Sequence, residues 1–271
     1  ISLNLHKIII LTKKQILLDL KDLIQETVIQ VVKVLGEGFQ VEEEVLEEEE
    51  QVVAGKKTII FDLDGTLIDS LEDIAFCMNQ VLKELNLPIH KIEDYKYFVG
   101  GGISVLVDNS LKGYSMEIKE EVTEKFKVVY DQKLHLKTKP YDGIYELLDE
   151  LRNLNFNIGI LSNKPHEFTI SYANNLFSKY EIKEIHGQKK DVPKKPDPIA
   201  AINIAKSFDT PCEKVYFVGD TMVDMQTAKN ANMIAIGVLW GFRDKEELNE
   251  NGADFLVNHP LDILKIVNKE V

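Results

Sequence analysis

Arginine is nearly missing from this chain, with Arg152 and Arg243 its two examples among 271 residues. With no Lys/Arg stripe and a formal charge of −13, the surface would repel a phosphate backbone, so nucleic acid is not an expected partner. Cysteine is equally scarce. Cys77 and Cys212 have neither metal-ligand spacing nor the density of a disulfide framework, which points to a reducing compartment and a cytoplasmic protein. No uninterrupted apolar run reaches membrane-spanning length, and no small-residue cleavage site follows the short Ile8-Ile9-Ile10-Leu11 stretch, so no membrane association is expected. The six histidines form no pair with ligand spacing, and His166 reads as a helix-surface residue.

What is present is a set of apolar runs that end in chemistry. Thr58-Ile59-Ile60-Phe61 has the β-branched and aromatic character of a buried strand, and it ends in Asp62-Leu63-Asp64-Gly65-Thr66. In open α/β sheets ligands gather beyond the carboxyl ends of the strands, where strand geometry would point Asp62 and Asp64 to one side. Two such carboxylates repel unless a cation or a proton separates them. A surface turn is the plain alternative for Asp-Gly. Val215-Tyr216-Phe217-Val218-Gly219 ends in Asp220, with Asp224 beyond it. Asn157-Ile158-Gly159-Ile160-Leu161 ends in Ser162, Asn163 and Lys164, and Lys195 precedes Pro196 and a helix start. Read singly, Ser162 is a helix cap and Lys195 a solvated cation.

Taken together, the order of acid pair, hydroxyl, lysine and acid pair resembles the haloacid dehalogenase (HAD) superfamily over roughly residues 56 to 271. Asp62 to Thr66 resembles its first motif, Ser162 its second, Lys195 its third, and Gly219-Asp220 with Asp224 its fourth. The phosphoglycolate phosphatase group is the most similar, through Phe98-Val99-Gly100-Gly101-Gly102, Pro140-Tyr141-Asp142-Gly143 and Gly237-Val238-Leu239-Trp240-Gly241. This resemblance implies a Mg2+-dependent phosphatase acting on a small phosphorylated metabolite. Asp62 is then the nucleophile that forms an aspartyl-phosphate, and Asp64 the general acid and base. Asp62, the Asp64 backbone carbonyl and Asp220 are the implied magnesium ligands, with Asp224 orienting a metal-bound water or Lys195. Ser162, Asn163 and Lys164, with Gly100, Gly101 and Gly102, are the implied substrate contacts. Retention of Asp64 disfavours a dehalogenase. A β-phosphoglucomutase-like phosphotransferase, a pyrophosphatase and a phosphatase-derived interaction scaffold stay open as alternatives.

The expected architecture is α/β: a Rossmann-like parallel sheet flanked by helices over 56–70 and 140–271, with a helical cap inserted at 71–139. Helical spacing runs over 70–85, 103–111, 116–134 and 144–154, and further strands are expected at 182–186, 233–238 and 255–257. Gly100 to Gly102 would face substrate, or form an ordinary turn between helices. Trp240 and Arg243, in the loop after a strand, read either as substrate contacts or, more simply, as a packed aromatic and a solvated arginine. Residues 1–55 form an extension: Ile16, Leu20, Ile24, Val28, Val31 and Leu35 recur at helical spacing, and seven glutamates follow between Val41 and Glu50. Such a helix wants a partner, and self-association is one expectation. An appendage without function is the other.

Overall fold

Residues 56–134, 136–180 and 182–268 are described by a computed structural model; the helix expected over 16–35 and the acidic run lie outside them. Among the described residues eight strands occur in chain order: β1 (Thr58–Phe61), β2 (Ile68–Asp69), β3 (Lys139–Pro140), β4 (Asn157–Pro165), β5 (Glu184–Gln188), β6 (Val215–Gly219), β7 (Ile234–Val238) and β8 (Phe255–Val257). Six of them make one sheet in the order β5-β4-β1-β6-β7-β8, with every pairing parallel. Parallel strands need crossovers, and the helices supply them on both faces.

The ten helices are α1 (Leu71–Glu84), α2 (Tyr95–Phe98), α3 (Ile103–Ser110), α4 (Met116–Gln132), α5 (Ile144–Asn153), α6 (His166–Phe177), α7 (Ile199–Ser207), α8 (Met222–Asn230), α9 (Lys245–Glu250) and α10 (Asp262–Val267), counted among the described residues. β1 explains how the layers form. Its side chains alternate, so Ile59 and Phe61 join the apolar cluster that holds α5 and α10, while Ile60 joins the cluster that holds α7 and α8. Leu147, Leu148 and Leu151 of α5 are fully buried there, each stabilising the fold by about 1.5–3 kcal/mol.

β1 sits at the centre of the sheet between β4 and β6. Asp62 therefore follows the end of β1, Ser162 to Lys164 lie at the end of β4, and Asp220 follows β6, all at the same edge. Helices α1 to α4 fall between β2 and β3, which pair antiparallel through Ile68 with Pro140 and Asp69 with Lys139. The chain thus leaves for the helical insert and returns from it at one place.

Several expected boundaries moved. β5 starts at Glu184, not Ile182, and its polar Glu184, His186 and Gln188 suit an edge strand open on one side. α4 stops at Gln132, where the Lys133 N–H turns back to the Tyr130 carbonyl. The two-residue strands β2 and β3 and the four-residue helix α2 had no sequence pattern long enough to announce them.

Candidate active site

Asp62 is the first residue after β1, buried to 6% exposure. Its Oδ1 accepts from Lys195 Nζ at 2.6 Å, and the same ammonium donates to Asp224 Oδ1 at 2.6 Å. Lys195 is itself 4% exposed, on the loop between β5 and α7. Burial works against its charge, but Asp224 and Asp62 together outweigh burial and raise its pKa. Lys194 beside it is exposed and turns to the Gly101 carbonyl at 3.0 Å. Of the two neighbouring lysines, Lys195 is the one aimed at the carboxylates.

Asp224 uses its other oxygen locally. Its Oδ2 accepts from the Thr221 N–H at 3.1 Å and the Thr221 hydroxyl at 2.7 Å, a capping box at the start of α8. Asp220 accepts from the Phe242 N–H at 2.8 Å and from Thr66 Oγ1 at 3.3 Å. Among the described residues no basic side chain lies within ion-pair distance of it. Burial, reinforced by Asp224 and Asp62, holds the Asp220 pKa well above the usual carboxylate range. Burial likewise pushes Asp62 up to about 7, with Lys195 opposing and Asp224 adding to the rise.

Carboxylate oxygens of Asp62, Asp220 and Asp224 lie within 4.8 Å of one another. Three buried carboxylates facing one ammonium leave a deficit of positive charge. A hard divalent cation fits that deficit and this all-oxygen donor set. Asp224 already neutralises the Lys195 ammonium with one oxygen and caps α8 with the other, whereas Asp220 meets only the neutral donors Thr66 and Phe242, so Asp62 and Asp220 are the better placed of the three.

Asp64 belongs to a second charged group. Its two oxygens accept from Lys164 Nζ at 2.9 and 3.1 Å, and the Ser70 hydroxyl donates to it as well. Lys164 is buried and also donates to the Tyr130 hydroxyl at 2.8 Å, with its ammonium 4.7 Å from the Tyr130 ring centre. Tyr130 comes from α4, so the insert reaches down to the residue that holds Asp64.

A cleft opens between these groups and the insert. Asp62, Asp64, Ser162, Asn163 and Lys164 line its polar floor, and Ile74, Val99, Ile103, Leu106 and Phe126 line its apolar wall. Ser162 Oγ accepts the Lys164 N–H at 3.2 Å, which leaves its own proton available to a ligand. Asn163 lines the cleft and also ties the surrounding loops. Its side-chain amide donates to the carbonyls of Gly100 and Lys195, each at 3.1 Å, and its Oδ1 accepts the Lys195 N–H at 2.9 Å, so it braces two loops. Gly100 and Gly102 line the cleft, whereas the Gly101 carbonyl turns to Lys194. Gly102 must be glycine on two counts: its φ is +83°, and a Cβ there would stand 2.8 Å from the Asn163 carbonyl oxygen.

Sequence reasoning gave Tyr130 and Thr221 no role. The Thr-x-x-Asp pattern at 221–224 was a readable signal. The Arg243 side chain is 11% exposed, which corrects its reading as a solvated arginine. His166 accepts the Gly187 N–H through Nδ1, outside this cluster, and its pKa is lowered by burial and Lys189.

Residues 59–238 match the model of the haloacid dehalogenase-like hydrolases. A phosphoglycolate phosphatase of Aquifex aeolicus is 32% identical over 217 residues, 79% of this chain and 98% of that protein. One from Pseudomonas savastanoi pv. phaseolicola is 32% identical over 226 residues, covering 80% and 82%. Among solved structures, a protein of Lactobacillus delbrueckii subsp. bulgaricus, provisionally named a phosphoglycolate phosphatase, superposes with a TM-score of 0.74 at 28% identity, covering 79% of this chain and 98% of its own.

Proposed function

The chain belongs to the haloacid dehalogenase-like hydrolases, and on that premise we propose that it hydrolyses a small phosphate monoester, 2-phosphoglycolate in particular, by way of an aspartyl-phosphate on Asp62. The observation that carries this reading is the Asp62 carboxylate, fixed by Lys195 at 2.6 Å on the floor of a cleft that also holds Asp64 and Ser162. A phosphate dianion and a carboxylate nucleophile repel, so attack needs positive charge at both.

Asp62 and Asp220, with the Asp64 backbone carbonyl, would hold magnesium, which supplies positive charge beside the transferring phosphoryl group. Lys195 neutralises Asp62 and keeps its oxygen in place, and Asp224 keeps Lys195 in place. The Ser162 hydroxyl and neighbouring N–H groups bind phosphoryl oxygens. Asp62 attacks phosphorus, the bond to the ester oxygen breaks, and Asp64, having first taken up a proton from solvent, gives it to that oxygen. Asp64 then takes a proton from water as the water attacks the same phosphorus, which frees phosphate and restores Asp62. Ser70 and Lys164 keep Asp64 oriented throughout.

The glycolate preference rests on the named activity of the relatives and on one feature of the cleft. Among the described lining residues Lys164 is the one cation, and a leaving group bearing a carboxylate gives it a second anionic partner beside Asp64. The apolar wall from 71–139 acts as a cap that sheds water from the reacting groups. Phosphate release from 2-phosphoglycolate, sugar phosphates, nucleoside monophosphates and pyrophosphate, with and without magnesium, tests the reading. Asp62→Asn should cost roughly 10³-fold or more in turnover while the fold is kept. Undiminished turnover in that variant would remove Asp62 as the nucleophile.

A further inference from the structure

We propose that Arg243 is a positioning residue that fastens the insert's glycine loop over Asp62. The guanidinium stands at the carboxyl end of α2, where helix carbonyls lack intrahelical donors. Its Nη1 donates to the Lys96 carbonyl and its Nη2 to the Val99 carbonyl, the latter at 3.1 Å. The fork also lies over the Tyr97 ring, 5.3 Å from its centre. Val99 leads directly into Gly100 and Gly102, which line the cleft opposite Asp62.

On the core side the same arginine is held in turn. Arg243 Nε pairs with Glu247 Oε2 at 3.2 Å, and Glu247 Oε1 accepts the Met222 N–H at the start of α8. The preceding three residues touch the floor of the site. Trp240 Nε1 donates to the Thr66 carbonyl at 3.0 Å, and the Phe242 N–H donates to Asp220 at 2.8 Å. Gly241 lies between them with no room for a side chain, since a Cβ would stand 2.5 Å from the Gly65 carbonyl oxygen. One short loop therefore grips the turn after Asp64, the Asp220 carboxylate and the insert together. The rival ties are weaker: Lys194 reaches the Gly101 carbonyl from an exposed position, and Asn163 contributes a single neutral bond to Gly100. The planar guanidinium offers donors to both carbonyls, a third N–H to Glu247 and a flat face to Tyr97 at once, a geometry that the single point charge of a lysine ammonium does not reproduce.

Amide hydrogen exchange on the full-length chain, without ligand, tests the fastening directly. In Arg243→Gln, exchange across 95–106 should quicken roughly tenfold while β6 and β7 stay protected, and Arg243→Lys should fall between that variant and the wild type. In steady state, which rests on the phosphatase reading, Arg243→Gln should raise KM for 2-phosphoglycolate roughly tenfold and change kcat less. Unchanged exchange at 95–106 in a folded variant overturns the proposal, as does faster exchange spread equally into β6 and β7, which would mark a merely structural arginine. If Arg243→Gln does not fold, Arg243→Lys carries the same comparison. An inactive wild type would defeat the phosphatase reading and leave the exchange result to decide the fastening.

Discussion

A lysine buried as deeply as Lys195 keeps its charge only because Asp62 and Asp224 both lie 2.6 Å away, yet those two carboxylates and Asp220 then outnumber it. The imbalance has a measurable consequence. The folded-state pKa of Asp62, about 7, lies above its ordinary 3.8, so between those values the folded chain holds a proton that the unfolded chain has released. Stability from this group is full below the lower value and is lost as pH rises through the upper one; Asp220, shifted in the same direction, adds to the loss. In the presence of a chelator, Tm should fall between about pH 5.5 and about pH 8, and added magnesium should raise Tm more at the higher pH. A Tm that climbs over this range, or a magnesium effect that is equal at both ends, would show that the cluster does not carry these protons. At this scale the sequence was readable where a residue ends a strand: Asp62, Ser162 and Asp220 could be placed because short apolar runs stop at them. The bonds of the Asn163 amide to Gly100 and Lys195 were not legible, because both partners are far from it along the chain.

Among the elements, long periodic ones were legible and short ones were not. α1, α4 and α5 repeat an apolar face over three turns or more, whereas β2 and β3 are two residues each and exist because the two ends of the insert must meet. The helical pattern of α4 also hid its chemistry. Tyr130 counts as one more apolar position on that helix, and its ring does pack on Phe126 and Phe168, but its hydroxyl accepts from Lys164. Tyr130→Phe isolates that contact, since it keeps the ring and removes the acceptor. The Lys164 ammonium would then keep Asp64 as its hydrogen-bond partner and its place beside the aromatic rings at position 130 and of Tyr172, and kcat/KM should fall by roughly 3- to 30-fold with Tm changed little. Comparing the variant's kcat/KM and its melting curve with the wild type checks this; equal kcat/KM would mean that α4 contributes packing and no orientation to Asp64.

For the molecule as a whole, residues 55–271 form one compact unit, and all the candidate site residues lie within it. The parallel sheet could be read from strand and helix alternation, but the contacts that set the insert over it could not. Arg243 meets Val99 across 144 positions of sequence, a distance at which no local pattern carries information. The same compactness bears on residues 1–55. Among the described residues, the strands of the sheet pair with one another, and those lining the cleft run from Asp62 to Phe168. A chain starting at Gly55 should therefore fold with a Tm close to that of the full chain and retain kcat/KM within about twofold, since it keeps every candidate site residue named above. If the apolar stripe from Ile16 to Leu35 drives self-association, light scattering should show the mass per particle falling to one chain in the truncated form while turnover is kept. Turnover lost together with assembly, in a truncated chain whose melting curve is intact, would instead make the extension part of the working site.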